Sequence, residues 1–386
     1  MPPEQVAALT RHAVDVLPGG ALERKLALGR PLRVKLGIDP TAPDIHLGFA
    51  FVLDRLAGFQ REGHTVVLIV GDYTARIGDP SGRSAERPVL PDEVLDENAR
   101  LFSEQAFRVL DRDRTEVRFN SEWLGKLSYA EVVRLTRTMT VARLLERDDF
   151  AKRFEAHEPI TLSELLYPLM QAYDSVAIEA DIEIGGTDQL YNLLAGRDVM
   201  EQYGLDPQVV MTYPLLVGTD GHEKMSKSRG NYVGITESSE EMFGKTMSIP
   251  DSALSQWWAL LVGGDGHPDD AMEWKLELAR RIVRRWHGAE GAGAGEAHFT
   301  QVVRRHEAPA DVPDLPLPPG DPVHLPAVLV AGVGVSSTSE ARRLIAQGGV
   351  RIAGDVVTEL DLPRGRLAGA VLQVGRRRFA RLVDSA

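Results

Sequence analysis

The stretch Val34–Phe49, VKLGIDPTAPDIHLGF, predicts a buried strand, a tight turn and the start of a helix. Its opening residues, VKLGI, are mostly apolar and have the length of a strand that is covered on both faces. Pro40 and Pro43 follow, and proline continues neither a helix nor a central strand. We therefore expect the chain to turn, with Asp44 as the helix N-cap and His46 in the first helical turn.

A helix that begins directly after a strand offers a binding site for phosphate groups. The first N–H groups of a helix have no partner within it, and the helix dipole is positive at that end. Gly48 would leave room for a ligand beside the backbone, and His46 could donate a hydrogen bond to a phosphate oxygen. Taken alone, the stretch fits an ordinary strand-to-helix turn with an incidental histidine equally well.

A second candidate phosphate site is the stretch Lys224–Ser228, KMSKS, which lies between Gly221 and Gly230. Two lysines three residues apart on a mobile loop could close on a triphosphate as point charges. A short loop with lysines is commonly no more than solvated surface. The two stretches together, in this order on a pattern of alternating strands and helices, are a far more specific signal.

The two stretches resemble the signature motifs of class I aminoacyl-tRNA synthetases. His46–Phe49, HLGF, is similar to the HIGH motif, although Phe49 stands where the family has histidine, and Lys224–Ser228 matches the KMSKS motif. Over essentially its whole length the chain resembles bacterial tyrosyl-tRNA synthetases. The resemblance implies a ligase that activates tyrosine with ATP to tyrosyl-adenylate and pyrophosphate. The tyrosyl group then passes to the 3′ end of tRNA(Tyr).

Strands and helices alternate through the first part of the chain, which predicts an α/β fold with a doubly wound, Rossmann-like parallel sheet. The expected strands are 34–38, 66–70, 182–184 and 209–212. The expected helices are 92–110, 140–150, 161–174 and 187–203. The sequence has no GxGxxG motif, so a dinucleotide site of the dehydrogenase kind has no local support. Ligands are expected at the carboxyl ends of the strands.

The expected domains are a catalytic domain (1–234), a helical domain (235–308), a proline-rich linker (309–326) and a small α+β RNA-binding domain (327–386). The last domain resembles a module shared with a ribosomal protein. The whole chain has a net charge of −12, yet from residue 326 onward it has nine arginines, no lysine and five acidic residues. Such a local basic patch attracts RNA, although it is also compatible with a solvated surface. The candidate phosphate contacts are Arg342, Arg343, Arg351, Arg376, Arg377 and Arg378.

Tyr167, Gln171 and Asp174 are spaced i, i+4 and i+7, which places them within ~20° of one helix face. Three polar side chains on an otherwise apolar helix need partners, either within the core or in a ligand. The resemblance implies a ligand. Tyr167 and Gln171 would then bind the ammonium group of tyrosine, and Asp174 would accept a hydrogen bond from its hydroxyl. A buried carboxylate disfavours an amino acid that lacks this hydroxyl.

The resemblance also implies the remaining site residues. Further tyrosine-binding residues are Asp39, Asp79, Asn120 and Glu183. The ATP-binding residues are Gly37, His46, Gly48, Gly186, Asp188, Gln189, Met225 and Lys227. The catalytic groups that would stabilise phosphate charge are Thr41, His46, Arg83, Arg87, Lys224 and Lys227. Magnesium is expected to arrive with ATP, without a metal cage made by the protein, and no tightly bound cofactor is expected.

Three residues depart from the pattern of many bacterial relatives. Lys35 stands at the position of a tyrosine that shares the substrate hydroxyl, and Glu183 at that of a glutamine. Both suggest a subgroup with a modified pocket. Phe49 leaves open a paralogue that binds RNA but has lost the activation step. Tryptophan specificity is another alternative, against which Asp174 and its helix partners argue.

Composition adds a few bounds. The chain has 386 residues and no cysteine, which predicts more than one domain and excludes disulfides and thiolate zinc sites. No apolar run approaches the ~18 residues of a membrane span, and the first residues are typical of an amphipathic helix rather than a signal peptide. We expect a cytoplasmic protein without membrane contact, and the resemblance implies a homodimer.

Overall fold

The computed structural model describes residues 3–41, 43–78, 91–264, 266–304, 312–375 and 378–384. The chain divides into two compact units, of which the first comprises Met1–Glu237 and Ser248–Leu278. The second comprises Ser238–Met247 and Ala279–Ala386. The expected boundaries of the catalytic, helical and RNA-binding domains stay a prediction.

A six-stranded sheet lies at the centre of the first unit. Its strands are β1 (Asp15–Leu17), β2 (Arg33–Ile38), β3 (Thr65–Val70), β4 (Thr115–Phe119), β5 (Ile182–Gly186) and β6 (Val209–Tyr213). They lie in the order β1-β6-β5-β2-β3-β4, and every neighbouring pair is parallel except β1 with β6. The α/β fold with a mainly parallel sheet is therefore confirmed.

Helices alternate with these strands. They are α1 (Pro3–Leu9), α2 (Ala21–Leu26), α3 (Leu47–Arg61), α4 (Asp92–Ala106), α5 (Ser121–Leu124), α6 (Tyr129–Thr136), α7 (Val141–Leu145), α8 (Asp148–Glu155), α9 (Leu162–Ala177) and α10 (Leu190–Gln202). Short 3₁₀ turns lie at Thr74–Arg76, Arg112–Arg114, Thr187–Gln189 and Lys227–Arg229. Helices α3 and α10 pack against the sheet, and α9 packs against α10.

The start of α3 differs by two residues from the prediction. The N-cap is His46 rather than Asp44, and the helix begins at Leu47. The ring nitrogen Nδ1 of His46 accepts a hydrogen bond from the backbone N–H of Phe49, at 3.3 Å, and so satisfies one of the unpaired N–H groups of the first turn.

Other differences come from short or polar elements. The helix expected across 140–150 is divided into α7 and α8 because Arg147 has an extended backbone and forms an ion pair with Asp149 at 2.7 Å. Strands β1 and β4 were not predicted. β1 has three residues, and β4 (TEVRF) is a half-buried edge strand with charged side chains, which weakens its apolar pattern.

After β6 the chain is mainly helical, as expected. The helices are α11 (Ser239–Met247), α12 (Asp251–Trp257) and α13 (Ala271–Phe299), with π-helical turns at Trp258–Val262 and Thr300–Arg304. Gly288 kinks α13 because its φ of 73° is not helical.

The second unit includes a small α+β region with its own apolar core. Its strands are β7 (Asp314–Pro316), β8 (Val323–His324), β9 (Val350–Ile352), β10 (Asp355–Val356), β11 (Asp361–Leu362), β12 (Val371–Val374) and β13 (Arg378–Val383). Its helices are α14 (Leu325–Gly332), α15 (Thr338–Ala346) and α16 (Arg364–Leu367). The sheet orders are β10-β9-β12-β13-β7 and β11-β8.

The prediction of a linker at 309–326 is wrong for the part of this segment that the structure describes. From Asp314 onward it forms β7, which pairs with β13, and β8. Leu317, Val323 and Leu325 are buried in the core of this region. Proline is tolerated here because β7 lies at the edge of its sheet, where a missing N–H removes no interior ladder bond.

None of the helices within the described ranges is long and apolar enough to cross a membrane.

The start of α9 depends on a buried ion pair. Glu164 forms a capping box with Thr161 and also pairs with Arg153, and both partners of the pair are almost fully buried. We expect Arg153→Met to lower the free energy of unfolding by about 3–5 kcal/mol because it leaves a buried carboxylate without its partner. Denaturant titration measures this.

Arg143→Met is the matched control. Arg143 pairs with Glu146 at 2.6 Å, but both side chains are half exposed or more, so the loss is expected to stay within about 1 kcal/mol. Equal losses in the two variants would contradict the role of burial.

Candidate active site

His46 lies at the carboxyl edge of the sheet as the N-cap of α3 and is buried. Burial, reinforced by the charges of Lys227 and Lys224, lowers the pKa of His46 to about 3, so the ring is neutral at ordinary pH. Because Nδ1 accepts from the Phe49 N–H, the ring proton resides on Nε2. The neutral ring can therefore donate one hydrogen bond to a ligand.

The lysine stretch is anchored at both ends. The backbone N–H of Met225 donates to the carbonyl of Leu216 at 2.8 Å, and the Met225 side chain is buried. Asn231 accepts from the N–H of Ser226 at 2.8 Å and donates to the carbonyl of Lys224 at 3.2 Å. The two lysines are thus held on a defined turn rather than on a free loop.

The structure brings the two motifs together. The N–H of Leu47 donates to the carbonyl of Val233 at 2.9 Å, and His46 forms an isolated bridge with Gly234 just after the lysine turn. Burial lowers the pKa of Lys227 to about 8, against the opposing charge of Asp44. Two cationic side chains and one neutral donor therefore face the same region.

Three glycines shape the neighbouring surface. Gly37 is exposed near the end of β2, and a Cβ there would meet nothing within 4 Å. A Cβ on Gly48 would lie 3.2 Å from the His46 ring, and one on Gly186 would lie 2.7 Å from Oδ1 of Asp188. Gly48 and Gly186 therefore keep space for functional side chains rather than for turns of positive φ.

The predicted ribose-binding residues lie directly after β5. Asp188 forms an ion pair with Lys224, with 2.7 Å between Oδ2 and Nζ. Gln189 accepts from the amide of Asn192 at 2.9 Å. The acceptor expected for a ribose hydroxyl is thus engaged by a lysine of the KMSKS stretch.

The stripe predicted on α9 faces polar groups from the sheet edge. The hydroxyl of Tyr167 donates to Asp39 at 2.9 Å, and Thr74 donates to the other carboxylate oxygen of Asp39 at 2.8 Å. The amide of Asn120 donates to Thr74 at 3.0 Å and to Asp174 at 3.3 Å. The structure therefore brings these predicted residues together in one network.

Asp174 is 3% exposed and receives a hydrogen bond from the indole N–H of Trp123 at 2.8 Å. Burial raises the pKa of Asp174 to about 7, while the nearby ammonium group of Lys35 and the two donors oppose the shift. Sequence reasoning missed Trp123 and Thr74. Recognition of β4 as a strand would have pointed to Trp123, which follows its carboxyl end, as the predicted Asn120 does.

Lys35 and Glu183 are also in contact. They are paired in register on β2 and β5, and Nζ of Lys35 lies 2.9 Å from Oε1 of Glu183. Both side chains are essentially inaccessible, at 0% and 1% exposure. Ser175 and Gln208, which sequence reasoning also missed, are hydrogen-bonded to this pair.

One predicted residue is exposed, and several others are not described. Thr41 is exposed in the turn after β2, with its N–H bonded to the carbonyl of Asp39. Asp79, Arg83 and Arg87 lie outside the described residues, as do Arg376 and Arg377 in the second unit.

The remaining predicted RNA contacts lie in the second unit. Arg342 and Arg343 are exposed on α15, and Arg351 is exposed on β9. Arg378 donates to the carbonyls of Val333 and Gly334 at 3.1 and 3.0 Å and is half-buried. Arg378 therefore already serves the fold of this unit.

No cluster of three or more histidine, aspartate or glutamate side chains suited to a metal ion occurs among the residues that the structure describes.

Comparison with known proteins gives a family. A family model for tRNA synthetases class I (W and Y) matches residues 27–285. The tyrosine–tRNA ligase of Moorella thermoacetica is 49% identical over 397 residues, which cover 98% of this chain and 95% of that protein. The corresponding enzyme of Thermotoga maritima is 47% identical, with 99% and 98% covered.

Solved structures agree at the level of the fold. The tyrosyl-tRNA synthetase of Archaeoglobus fulgidus in complex with L-tyrosine has a TM-score of 0.62 at 22% identity, covering 75% of this chain and 98% of that one. The two sequence relatives above cover 98% and 99% of this chain. The chain belongs to the class I tRNA synthetases and, within them, to the tyrosine–tRNA ligases.

Proposed function

We propose that the chain carries out the two-step reaction of its family with the residues of the network on α9 and the two phosphate motifs. Tyrosine carboxylate attacks the α-phosphorus of ATP and releases pyrophosphate, and the 3′ end of tRNA(Tyr) then attacks tyrosyl-adenylate. No covalent bond to the protein forms, so the residues act by position and charge.

The observation that carries this proposal is the buried carboxylate of Asp174, with Trp123 and Asn120 as donors. A buried acceptor with few polar partners favours a ligand that brings a hydroxyl and disfavours phenylalanine. Asp174 is therefore the proposed reader of the tyrosine hydroxyl.

Tyr167 and Gln171 are proposed to bind the substrate ammonium group, together with Asp39 and Asp79. The hydroxyl of Tyr167 gives its hydrogen to Asp39, so toward an ammonium group its oxygen acts as an acceptor.

The phosphate groups of ATP are proposed to lie against the N-terminus of α3. His46 is neutral because its pKa is low, and it donates a hydrogen bond from Nε2. Lys224 and the partly buried Lys227 approach the phosphate groups as cations. Lys224 must leave Asp188 for ribose to bind there. Magnesium accompanies ATP as part of the substrate. Thr41, Arg83 and Arg87 complete the proposed phosphate contacts.

Phe49 adds no donor to this set. Its ring packs edge-on against Phe102, with 5.9 Å between ring centroids, and lies 4.8 Å from the His46 ring. The phenyl ring thus supports the position of His46 rather than acting on phosphate.

The small α+β region of the second unit is proposed to bind tRNA through Arg342, Arg343 and Arg351, which are exposed. Arginine contacts phosphate oxygens without reading the base sequence. The substrates ATP and tRNA imply a cytoplasmic enzyme.

A homodimer is proposed from an apolar surface on the first unit. Tyr129, Val141, Phe154 and Leu162 belong to α6, α7, α8 and the start of α9, and Tyr129 and Leu162 are 85% and 80% exposed. We infer that these four side chains, all exposed between positions 129 and 162, contribute to one interaction surface. A second copy of the chain is the proposed partner.

Asp174→Asn tests the hydroxyl reader. We expect the variant to lose about 1.5–3 kcal/mol of tyrosine recognition because an amide replaces a charged acceptor. Tyrosine-dependent exchange of pyrophosphate into ATP measures this, and KM for ATP should change little. In the parent, kcat/KM for tyrosine should rise as pH increases through about 7, where Asp174 loses its proton.

The Asn variant should lack that rise. A variant that still rejects phenylalanine and keeps the pH dependence would show that Asp174 does not read the hydroxyl. The complete absence of exchange in the parent would instead support a non-catalytic paralogue.

Arg342→Gln/Arg343→Gln tests the RNA surface. Truncation at residue 326 would remove part of a folded region, since β7 and β8 precede it, so point changes are preferable. We expect weaker tRNA binding and a smaller slope of log affinity against log salt, by about 0.7–0.9 per lost phosphate contact.

Adenylate formation should be unaffected. Arg366→Gln is the control, because Arg366 lies in the same unit but pairs with Glu359 at 3.1 Å. If the control lost as much tRNA affinity, the effect would come from net charge alone, and the proposed contacts of Arg342 and Arg343 with RNA would be contradicted.

Phe154→Glu tests the proposed homodimer. A charge buried at an apolar interface is costly, so we expect a shift from dimer to monomer in sedimentation velocity at micromolar concentration. Met272→Glu, at another exposed apolar side chain of the first unit, should leave the assembly state unchanged. A monomeric parent would overturn the proposal.

A further inference from the structure

Lys35 and Glu183 form a buried charged network that no step of the reaction uses directly. The three hydrogens of the Lys35 ammonium group have three acceptors: Glu183 at 2.9 Å, Ser175 Oγ at 2.8 Å and the backbone carbonyl of Gln171 at 3.0 Å. Lys35 therefore has no hydrogen left for the hydroxyl of tyrosine. Its role in the pocket must be indirect.

Glu183 is equally engaged. Its Oε1 forms the ion pair with Lys35 and accepts a hydrogen bond from the side-chain amide of Gln171 at 3.5 Å. Its Oε2 accepts from Ser175 at 3.3 Å and from the amide of Gln208. Gly196 on α10 makes room for this, since a Cβ there would lie 3.2 Å from Glu183 Oε2. Direct contact of Glu183 with substrate is not needed to explain its burial.

The network acts on the turn of α9 that faces the pocket. Lys35 holds the carbonyl of Gln171 and the hydroxyl of Ser175, and Asp174 lies between these two attachment points. Glu183 draws the NH₂ group of Gln171 toward itself, which leaves the carbonyl oxygen of that side chain as the available acceptor. An ammonium group requires an acceptor of this kind.

We propose that Lys35 and Glu183 are a charge-balanced positioning pair that orients Gln171 toward the substrate ammonium group and fixes Asp174 opposite the hydroxyl. The inference rests on the proposed roles of Gln171 and Asp174. Lys35 and Glu183 both depart from the pattern of many bacterial relatives, and the proposal explains the two departures together. A lysine at position 35 requires a carboxylate at position 183, because a buried charge without its partner is strongly unfavourable.

A cycle of Lys35→Met, Glu183→Gln and the double variant separates positioning from stability. Each single change leaves one buried charge, so both single variants should have a lower Tm, and the double variant should recover most of it. KM for tyrosine should rise at least tenfold in Glu183→Gln and stay raised in the double variant. KM for ATP should change less than threefold.

Arg153→Met is the matched control, since it also breaks a buried ion pair that supports α9 but lies outside the pocket. It should lower the Tm without raising KM for tyrosine. If KM for tyrosine in the double variant returned to within twofold of the parent value, the proposal would be overturned, because the pair would then contribute only to stability.

Glu183→Gln alone decides the case if the double variant does not fold, since it keeps the size of the side chain. A tyrosine KM within twofold of the parent would again overturn the proposal. Failure of the proposed function looks different: the parent itself would then show no tyrosine-dependent exchange of pyrophosphate.

Discussion

The central position of β2 in a parallel sheet is the constraint on which the site depends. β5 and β3 lie on either side of it, so the segments that follow all three strands meet at one edge. Asp39, Thr74 and Asp188 come from three such segments, far apart in the sequence. Helix α9 lies over this edge and contributes Tyr167 and Asp174. Parallel pairing therefore brings the proposed site residues together at one edge of the sheet.

Much of this arrangement follows from local sequence patterns. Four strands of the first sheet are short apolar runs, and the stripe on α9 follows from helical spacing alone, so both were predictable. β4 was not, because its charged side chains obscure the pattern, and Trp123 was lost with it. The contact between Lys35 and Glu183 depends on strand register, which single-sequence reasoning does not supply. The proline-rich segment 309–326 was wrongly predicted as a linker, because proline is common both in linkers and in edge strands.

Burial of ionisable groups determines the chemistry of the site. His46 loses its charge on burial, whereas Lys35 and Glu183 lie buried in mutual contact, with further hydrogen bonds to both side chains. Asp174 is intermediate in its ionisation, with a pKa of about 7, because Lys35 and its two hydrogen-bond donors only partly offset the effect of burial. The proposed site thus combines a neutral donor and a titratable acceptor with a buried ion pair behind them, each set by its surroundings. Such a fixed arrangement of dipoles is what catalysis by position requires.

Pro316 has a consequence for the solubility of the second unit. β7 is the edge strand of a five-stranded sheet, and an edge with free N–H groups is a template for pairing with another chain. Pro316 has no N–H, and its neighbours Asp314 and Leu315 complete a strand of only three residues. This short, interrupted edge covers β13 and offers little for a further strand to join. The segment that precedes the core of the small region therefore protects it against intermolecular sheet growth.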